Sequence, residues 1–147
     1  MIEKVILALH VVAGILFVGP VAVTASLFPR FVPLTEPAGA LRSAPVATVL
    51  HRITRSYAIL ALTVPAVGLV LAAVQGRLGE IWIVIAMILT AAAGGLLSLR
   101  VLPAQALALR EAGTARDLLS LRASTGVFNL IWVAVVVLMI VRPGAER

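Results

Sequence analysis

The chain alternates between long apolar segments and short segments that carry its charges. Four segments contain no Asp, Glu, Lys or Arg and consist mainly of Val, Ile, Leu and Ala: 5–29, 56–76, 81–99 and 123–141. Each has 19 residues or more, and a helix needs about 20 apolar residues to cross the hydrocarbon of a bilayer. The pattern predicts an all-α polytopic membrane protein, an up-down four-helix transmembrane bundle in one domain, 1–147, with spans at about 5–28, 53–75, 81–99 and 123–141.

Local signals add detail to this layout. Pro20 lies inside the first predicted span and should distort the helix there, because proline has no N–H and its ring clashes with the preceding turn. The first long connection contains four prolines and cannot be one continuous helix: Pro29, Pro33, Pro37 and Pro45. In the second, a short helix is expected between Pro103 and Gly113. Thr114 followed by Asp117 resembles a capping box, so the fourth helix should begin near Ala115.

The third span carries a stripe of small side chains at a spacing of four. Its members are Ala86, Thr90, Gly94 and Ser98. Small residues let membrane helices approach closely, and packing drives their association in lipid. We expect this stripe to form a helix–helix seam, and the pattern leaves open whether the seam lies within one protomer or between two.

Composition and charge then narrow the class of protein. Of the 147 residues 62% are hydrophobic and none is Cys, which excludes disulfides, thiolate metal sites and cysteine nucleophiles. The net charge of +6 comes from basic residues at span ends and in connections, so we attribute it to lipid headgroups and topology and expect no nucleic-acid partner. The excess of Arg over Lys, eleven to one, is typical of GC-rich bacterial genomes.

The distribution of basic residues predicts the orientation. The two long connections and their flanks contain eight of them: Arg30, Arg42, Arg52, Arg55, Arg100, Arg110, Arg116 and Arg122. The other side has four: Lys4, Arg77, Arg142 and Arg147. The positive-inside rule therefore predicts a multi-pass protein of the bacterial cytoplasmic membrane with both termini outside. One alternative stays open, in which residues 1–25 are a cleaved signal peptide, although that would require the N-terminus inside.

Few side chains in the spans could carry chemistry. The spans contain no Asp, Glu or Lys, and their one Arg, Arg55, lies at the start of the second span. This composition argues against proton pumps and carboxylate-coupled transporters. The chain also lacks the HExxH, phosphate-loop and GxSxG motifs, so we do not expect an enzyme. Hydroxyls and amides toward the connections are expected to bond across helices: Thr24, Ser26, Ser98 and Asn129. The mid-depth Trp132 N–H should find a partner inside the bundle.

His10 is the exception, because an ionisable residue inside a span is a candidate functional residue by default. Helical rise places it about 6 to 9 Å below the surface on the side of the termini. Met87 should lie at nearly the same depth, and Met139 slightly nearer the surface. His with Met is an axial pair for haem, and His with two Met suits Cu(I). His51 should lie about 25 Å away at the other end of the bundle, so His10 and His51 cannot hold one haem within a protomer. Two His10 side chains could do so across the two-fold axis of a dimer.

The first span and the tail resemble a known group of membrane proteins. Leu9-His10, Phe17-Val18-Gly19 and Phe28-Pro29-Arg30 resemble the first-span pattern of a family of four-span bacterial integral membrane proteins of unknown function. The ending, Met139 to Gly144, is similar too, and the span layout agrees over nearly the whole length. Two better-understood families share the first-span pattern: the copper-resistance D-type membrane proteins and the haem-containing protoporphyrinogen oxidase. In the latter the first-span His is held to be a haem ligand, a role that the resemblance implies for His10.

Two functions follow as hypotheses. The first is a non-catalytic accessory or structural membrane subunit without a resident cofactor, which forms a homodimer or joins a larger membrane complex through the small-residue stripe. The second is a haem b or copper site centred on His10 with Met87 or Met139, serving electron transfer or metal handling.

Overall fold

Four long helices form an antiparallel bundle in the computed structural model, which describes residues 1–34 and 42–144. They are α1 (Ile2–Phe31), α2 (Ala44–Val74), α3 (Ile81–Arg110) and α4 (Ala115–Val141), and each is long and apolar enough to cross a membrane. The prediction of an all-α, multi-pass membrane protein with a four-helix bundle is confirmed. Pro37 and Arg147, which entered the sequence arguments, lie outside the described residues.

The helices are longer than the charge-free windows, because helical hydrogen bonding continues past the first charged residue. The clearest difference is in α3, which was expected to stop near 99 and be followed by a separate helix. Instead the segment Leu102–Arg110 continues the same helix through Pro103. At α4 the prediction is confirmed: the helix begins at Ala115, and Thr114 and Asp117 form the reciprocal hydrogen bonds of a capping box.

Each of the first three helices changes its geometry about one turn before a proline. Gly14–Val18 forms a wide π turn before Pro20, and Leu97–Val101 forms another before Pro103. The regular hydrogen bonding of α2 is interrupted at Leu62, before Pro65. In every case the disturbance includes or adjoins the residue four before the proline, whose carbonyl would clash with the ring. The distortion expected at Pro20 is therefore a π turn.

The bundle has two halves, which we name by what lies at their ends. The terminal half contains Met1, the 76–80 turn and the end of α4, and the connection half contains the two long connections. The connection half holds the main core, a cluster of buried side chains from all four helices: Val21, Ala25, Phe28, Val32, Ala47, Ala93, Leu97, Val101, Leu118, Leu121 and Phe128. The terminal half has only a small cluster of Ala72, Trp82 and Ile83, with Met87 and Met139 packed against it.

Hydrogen bonds close the connection half. Arg42 Nη1 donates to the carbonyl of Val32 at 2.7 Å, and the Ser43 N–H donates to the carbonyl of Phe31 at 2.8 Å. These bonds satisfy carbonyls that the end of α1 leaves without helical partners. Leu34 and Gly113 form a parallel bridge that joins the two long connections. This half is consequently held together by core packing and by its loops, and the terminal half is held less tightly.

Candidate functional site: a cavity in the terminal half

A cavity of about 800 Å³ lies between the helices in the terminal half. All four helices contribute to its walls, which are mostly aliphatic. The side chains in its lining that can bond to or coordinate a ligand are His10, Gln75, Trp82, Met87, Thr90, Asn129, Trp132, Met139 and Arg142. A volume of this size is in the usual range of sites for small molecules and cofactors, about 300–1,000 Å³.

The cavity arises from the way the helices pair. In the terminal half, α1 packs on α2 and α3 packs on α4, while α1 meets α4 mainly through its second segment, Gly19–Phe31, in the connection half. There Asn129 Nδ2 donates to Ser26 Oγ at 3.0 Å. The two helix pairs thus separate toward the terminal end, and the space between them is the cavity.

The cavity is open on one side, between α1 and α4. Six apolar residues of the described lining are at least half exposed: Val11, Ile15, Val133, Val136, Val137 and Ile140. Two belong to α1 and four to α4. Since these side chains are apolar and lie on spanning helices, the opening faces lipid.

His10 is the polar group best fixed in the wall. Its side chain is 8% exposed, and Nδ1 lies 2.9 Å from the carbonyl oxygen of Val64 on α2. A carbonyl can only accept, so Nδ1 carries the proton and donates. Within the described residues Nε2 has no hydrogen-bond partner. In the neutral imidazole this nitrogen keeps a free lone pair, which is what a metal ion requires.

Gly68 makes room for the imidazole ring. A Cβ atom placed on Gly68 would lie 2.8 Å from Cε1, 3.3 Å from Nδ1 and 3.6 Å from Nε2 of His10. A distance of 2.8 Å is shorter than real Cβ atoms show to neighbouring atoms. The ring therefore lies directly against the backbone of α2, where any larger residue would displace it. The Val64 carbonyl one turn earlier fixes its orientation.

Met87 and Met139, the two methionines chosen by depth, line the same cavity as His10. Both pack against the small cluster formed by Ala72, Trp82 and Ile83. The structure brings all three predicted ligand residues to one cavity. His51 lies in the other half, where its Nδ1 pairs with Gln105 Oε1 at 3.0 Å and its ring contacts the edge of Phe28.

No group of three His, Cys, Asp or Glu side chains is found among the residues that the structure describes. The described residues therefore offer no site at which imidazole and carboxylate groups alone could hold a metal ion with three protein ligands. Any metal at His10 would need thioether sulfur or a ligand brought by a prosthetic group.

A group of charged and aromatic residues lies beside the terminal end of the cavity, and of these only Trp82 and Arg142 line it. Glu80 accepts hydrogen bonds from Arg77 and from Trp82 Nε1. These bonds, the one from Arg77 first, hold the pKa of Glu80 below its usual value. The guanidinium groups of Arg77 and Arg142 lie 5.7 and 5.6 Å from the centroid of the Trp82 ring, within cation–π range.

At the other end of the cavity two polar atoms have no partner among the described residues: Asn129 Oδ1 and Trp132 Nε1. The expectation that the Trp132 N–H bonds inside the bundle is wrong for this structure. The indole instead packs edge-on against Phe128, with centroids 6.3 Å apart. Trp132 borders the cavity, where the helices have separated and leave no acceptor beside it.

Of the hydroxyl and amide side chains expected to bond across helices, three do so and one does not. Thr24 pairs with Thr54 across α1 and α2, and Ser26 with Asn129 across α1 and α4, as expected of cross-helix hydroxyls. Among the described residues, Ser98 bonds only to backbone carbonyls of its own helix, at Gly94 and Gly95.

The small-residue stripe does not stay on one side of α3. Ala86 is buried and Thr90 is half-buried, and both line the cavity, whereas Gly94 and Ser98 are exposed. Four residues turn a helix by about 40° more than a full circle, so three such steps rotate the stripe by about 120°. The buried face of α3 instead continues through Ala93, Leu97 and Val101.

Sequence reasoning missed Gly68, Val64 and Arg142 as members of the site. A usable signal existed for Gly68, because it lies in the second span at about the depth of His10, three residues after Pro65. No protein-family model, curated protein or solved structure matches the chain. Its function must therefore be argued from the geometry of this site.

Proposed function

We propose that this chain is a non-catalytic membrane subunit that binds haem b in the terminal-half cavity, where His10 would hold the haem iron, and that it serves electron transfer. The observation that carries the proposal is the state of His10: Nδ1 donates to the Val64 carbonyl, Gly68 makes room for the ring, and Nε2 has no hydrogen-bond partner within the described residues. Histidines that bind metals almost always donate their other ring N–H to a carboxylate, a backbone carbonyl or water.

The remaining features of the cavity fit a porphyrin. Its volume of about 800 Å³ and its aliphatic walls suit a large, flat, apolar group better than a single ion. Met87 and Met139 both lie in the lining, and either would offer a thioether sulfur to help hold the haem. When bound, haem would supply one-electron oxidation and reduction. The chain would hold it in place and keep water from it with the aliphatic side chains of four helices.

Copper is the competing ligand for the same residues. His10 with Met87 and Met139 offers one imidazole and two thioethers, a set that suits Cu(I). The size of the cavity favours the porphyrin, since a bare ion would leave most of the space empty. The resemblance of the first-span motif to haem- and copper-associated families supports haem and copper alike.

The basic residues support an orientation and a location. We propose a bacterial cytoplasmic membrane, with the two long connections in the cytoplasm and both termini outside. The cavity would then lie near the outer surface, where it would meet redox partners from that side.

Self-association is a second proposal, and the exposed part of the α3 stripe favours it. A Cβ atom on Gly94 would meet nothing within 4 Å, and Ser98 is exposed beside it. Among the described residues nothing covers this surface, which would allow another helix to approach closely. We propose that it forms a homodimer or joins a larger membrane complex.

An absorption spectrum of the detergent-purified protein, with metal analysis on the same sample, tests the haem proposal. The protein should be expressed with both haem and copper in supply. We expect a Soret band that is lost in His10→Ala and kept in His51→Ala, a matched control because His51 lies in the other half. A wild-type protein without haem, or a Soret band that survives His10→Ala in a folded variant, would overturn the proposal. Copper without haem would replace it by the copper alternative.

A further inference from the structure

The rim of the cavity contains a single formally charged side chain. Among the described residues that line it, only Arg142 carries a full charge; the others are apolar, aromatic, amide or hydroxyl groups and the imidazole of His10. Arg142 follows the last residue of α4 and adopts a left-handed backbone conformation with φ of 49°. The end of α4 thus directs one guanidinium to the mouth of an apolar cavity.

The guanidinium of Arg142 is held in place and still has donors to spare. Its Nε donates to the carbonyl of Met139 at 3.2 Å, and its Cζ lies 5.6 Å from the centroid of Trp82. Its two Nη groups donate no hydrogen bond within the described residues. Glu80, the nearby carboxylate, already accepts from Arg77 and Trp82. Among the described residues, two arginines therefore share one carboxylate, and the ion pair of that carboxylate is with Arg77.

We propose that Arg142 is a carboxylate subsite, and that the cavity binds amphiphiles with an apolar body and a carboxylate at the terminal end. Arginine presents paired N–H groups that match the two oxygens of a carboxylate, which makes it the preferred cation for this contact. For haem, the carboxylate subsite rests on the proposed function, because the groups that would bind Arg142 are the two propionates of the haem. It applies equally to an acyl carboxylate from the bilayer, which needs no contact with His10.

The dimensions of the cavity agree with such a ligand. Gln75, at the end of α2, lines the rim, and Gly68, which touches His10, lies seven residues deeper. Helical rise puts about 10 Å between these two levels. A ligand with its carboxylate at Arg142 would reach the imidazole with its apolar body. A longer chain could leave through the opening between α1 and α4, which faces lipid.

The chain provides its own reporter for a test. It has two tryptophans, Trp82 and Trp132, and both line the cavity. A brominated chain that enters the cavity should quench their fluorescence. The test compares brominated stearate with brominated stearyl alcohol, and protohaem with its dimethyl ester, at mildly alkaline pH in lipid nanodiscs. Each pair differs only in the free carboxylate.

We expect the carboxylate of each pair to bind about fivefold tighter than its neutral partner, the value that about 1 kcal/mol for a solvent-accessible ion pair implies. Arg142→Gln should abolish this preference, and Arg142→Lys should restore part of it. Arg77→Gln is the matched control, because Arg77 also lies over Trp82 but does not line the cavity. It should keep the preference.

The arms separate the possible outcomes. Equal binding of acid and neutral probes, or equal losses in Arg142→Gln and Arg77→Gln, would overturn the subsite. A preference for stearate that survives His10→Ala, with no haem bound by the wild type, would keep the subsite and defeat the haem proposal. If the protein binds haem but binds its dimethyl ester equally well, the haem proposal is kept and the carboxylate subsite is defeated.

Discussion

The imidazole of His10 lies so close to Gly68 that a Cβ atom there would be 2.8 Å from Cε1. The contact joins α1 to α2 in the half of the bundle where the two helix pairs separate. It also makes α2 the element that orients the histidine, because the Val64 carbonyl and the Gly68 backbone both act on the same ring. A change on α2 should therefore affect chemistry at His10 without touching any ligand.

Gly68→Ala should push the imidazole from its position. We expect haem affinity to fall by about tenfold or more, as is typical when a group that orients a metal ligand is lost. The measurement is a haem titration followed by the Soret band. Gly126→Ala is the matched control, since a Cβ there meets nothing within 4 Å. Equal affinities in the two variants would show that Gly68 does not orient the histidine.

Thr24 and Thr54 join α1 to α2 inside the core, with their Oγ1 atoms 2.8 Å apart. Thr54 is fully buried. Thr54→Val keeps the shape of the side chain and removes the hydroxyl, so we expect a loss of about 0.6 kcal/mol, and at most about 1.7 kcal/mol, in unfolding free energy. Unfolding of the micelle-bound protein by SDS measures it.

Thr48→Val is the control for this pair. Thr48 is exposed and bonds only to the carbonyl of Ala44 in its own helix. It should leave the unfolding free energy nearly unchanged. If Thr54→Val and Thr48→Val lower stability by the same amount, the cross-helix bond contributes nothing, and the effect belongs to the helix alone.

The ion pair of Glu80 with Arg77 should make the stability of the fold depend on pH at the acid end. The hydrogen bonds from Arg77 and Trp82 lower the pKa of Glu80 in the folded protein. A carboxylate with a lowered folded pKa contributes stability above its unfolded pKa, and this contribution is lost as pH falls through the folded value. Glu80→Gln should therefore melt below the wild type at neutral pH, and the difference should shrink in acid. A difference in melting temperature that stays constant from neutral to acid pH would contradict this account.

Much of the fold could be predicted because lipid imposes a simple rule: a spanning helix excludes charge for about 20 residues. That rule located four helices but set their ends too early, since α3 continues through Pro103 to Arg110. Capping chemistry is local, and so the start of α4 could be read from Thr114 and Asp117 alone.

Counting residues along each helix grouped three residues of the cavity, but it could not predict rotation about the helix axis. Counting residues from the membrane surface placed His10, Met87 and Met139 at similar levels, and all three line one cavity. The same counting says nothing about which side of a helix faces its neighbours. For this reason Gly94 and Ser98 were assigned with Ala86 to one seam although they lie on an exposed face, and Trp132 was given a partner that it lacks.

Gly94 offers the test of self-association, because nothing among the described residues covers its surface. Leucine at this position meets no atom within 4 Å of its Cβ in the folded chain, so the fold itself should tolerate Gly94→Leu. In a dimer built on the Gly94–Ser98 face, the same side chain would hold the partner helix away, since such contacts depend on close backbone approach. We expect energy transfer between differently labelled copies in nanodiscs to fall to the level of a monomeric reference. Gly126→Leu, at an equally open and exposed site on α4, should keep the wild-type signal. If both variants lose it, bulk on the surface and not this face is responsible; if neither does, the proposed dimer face is wrong.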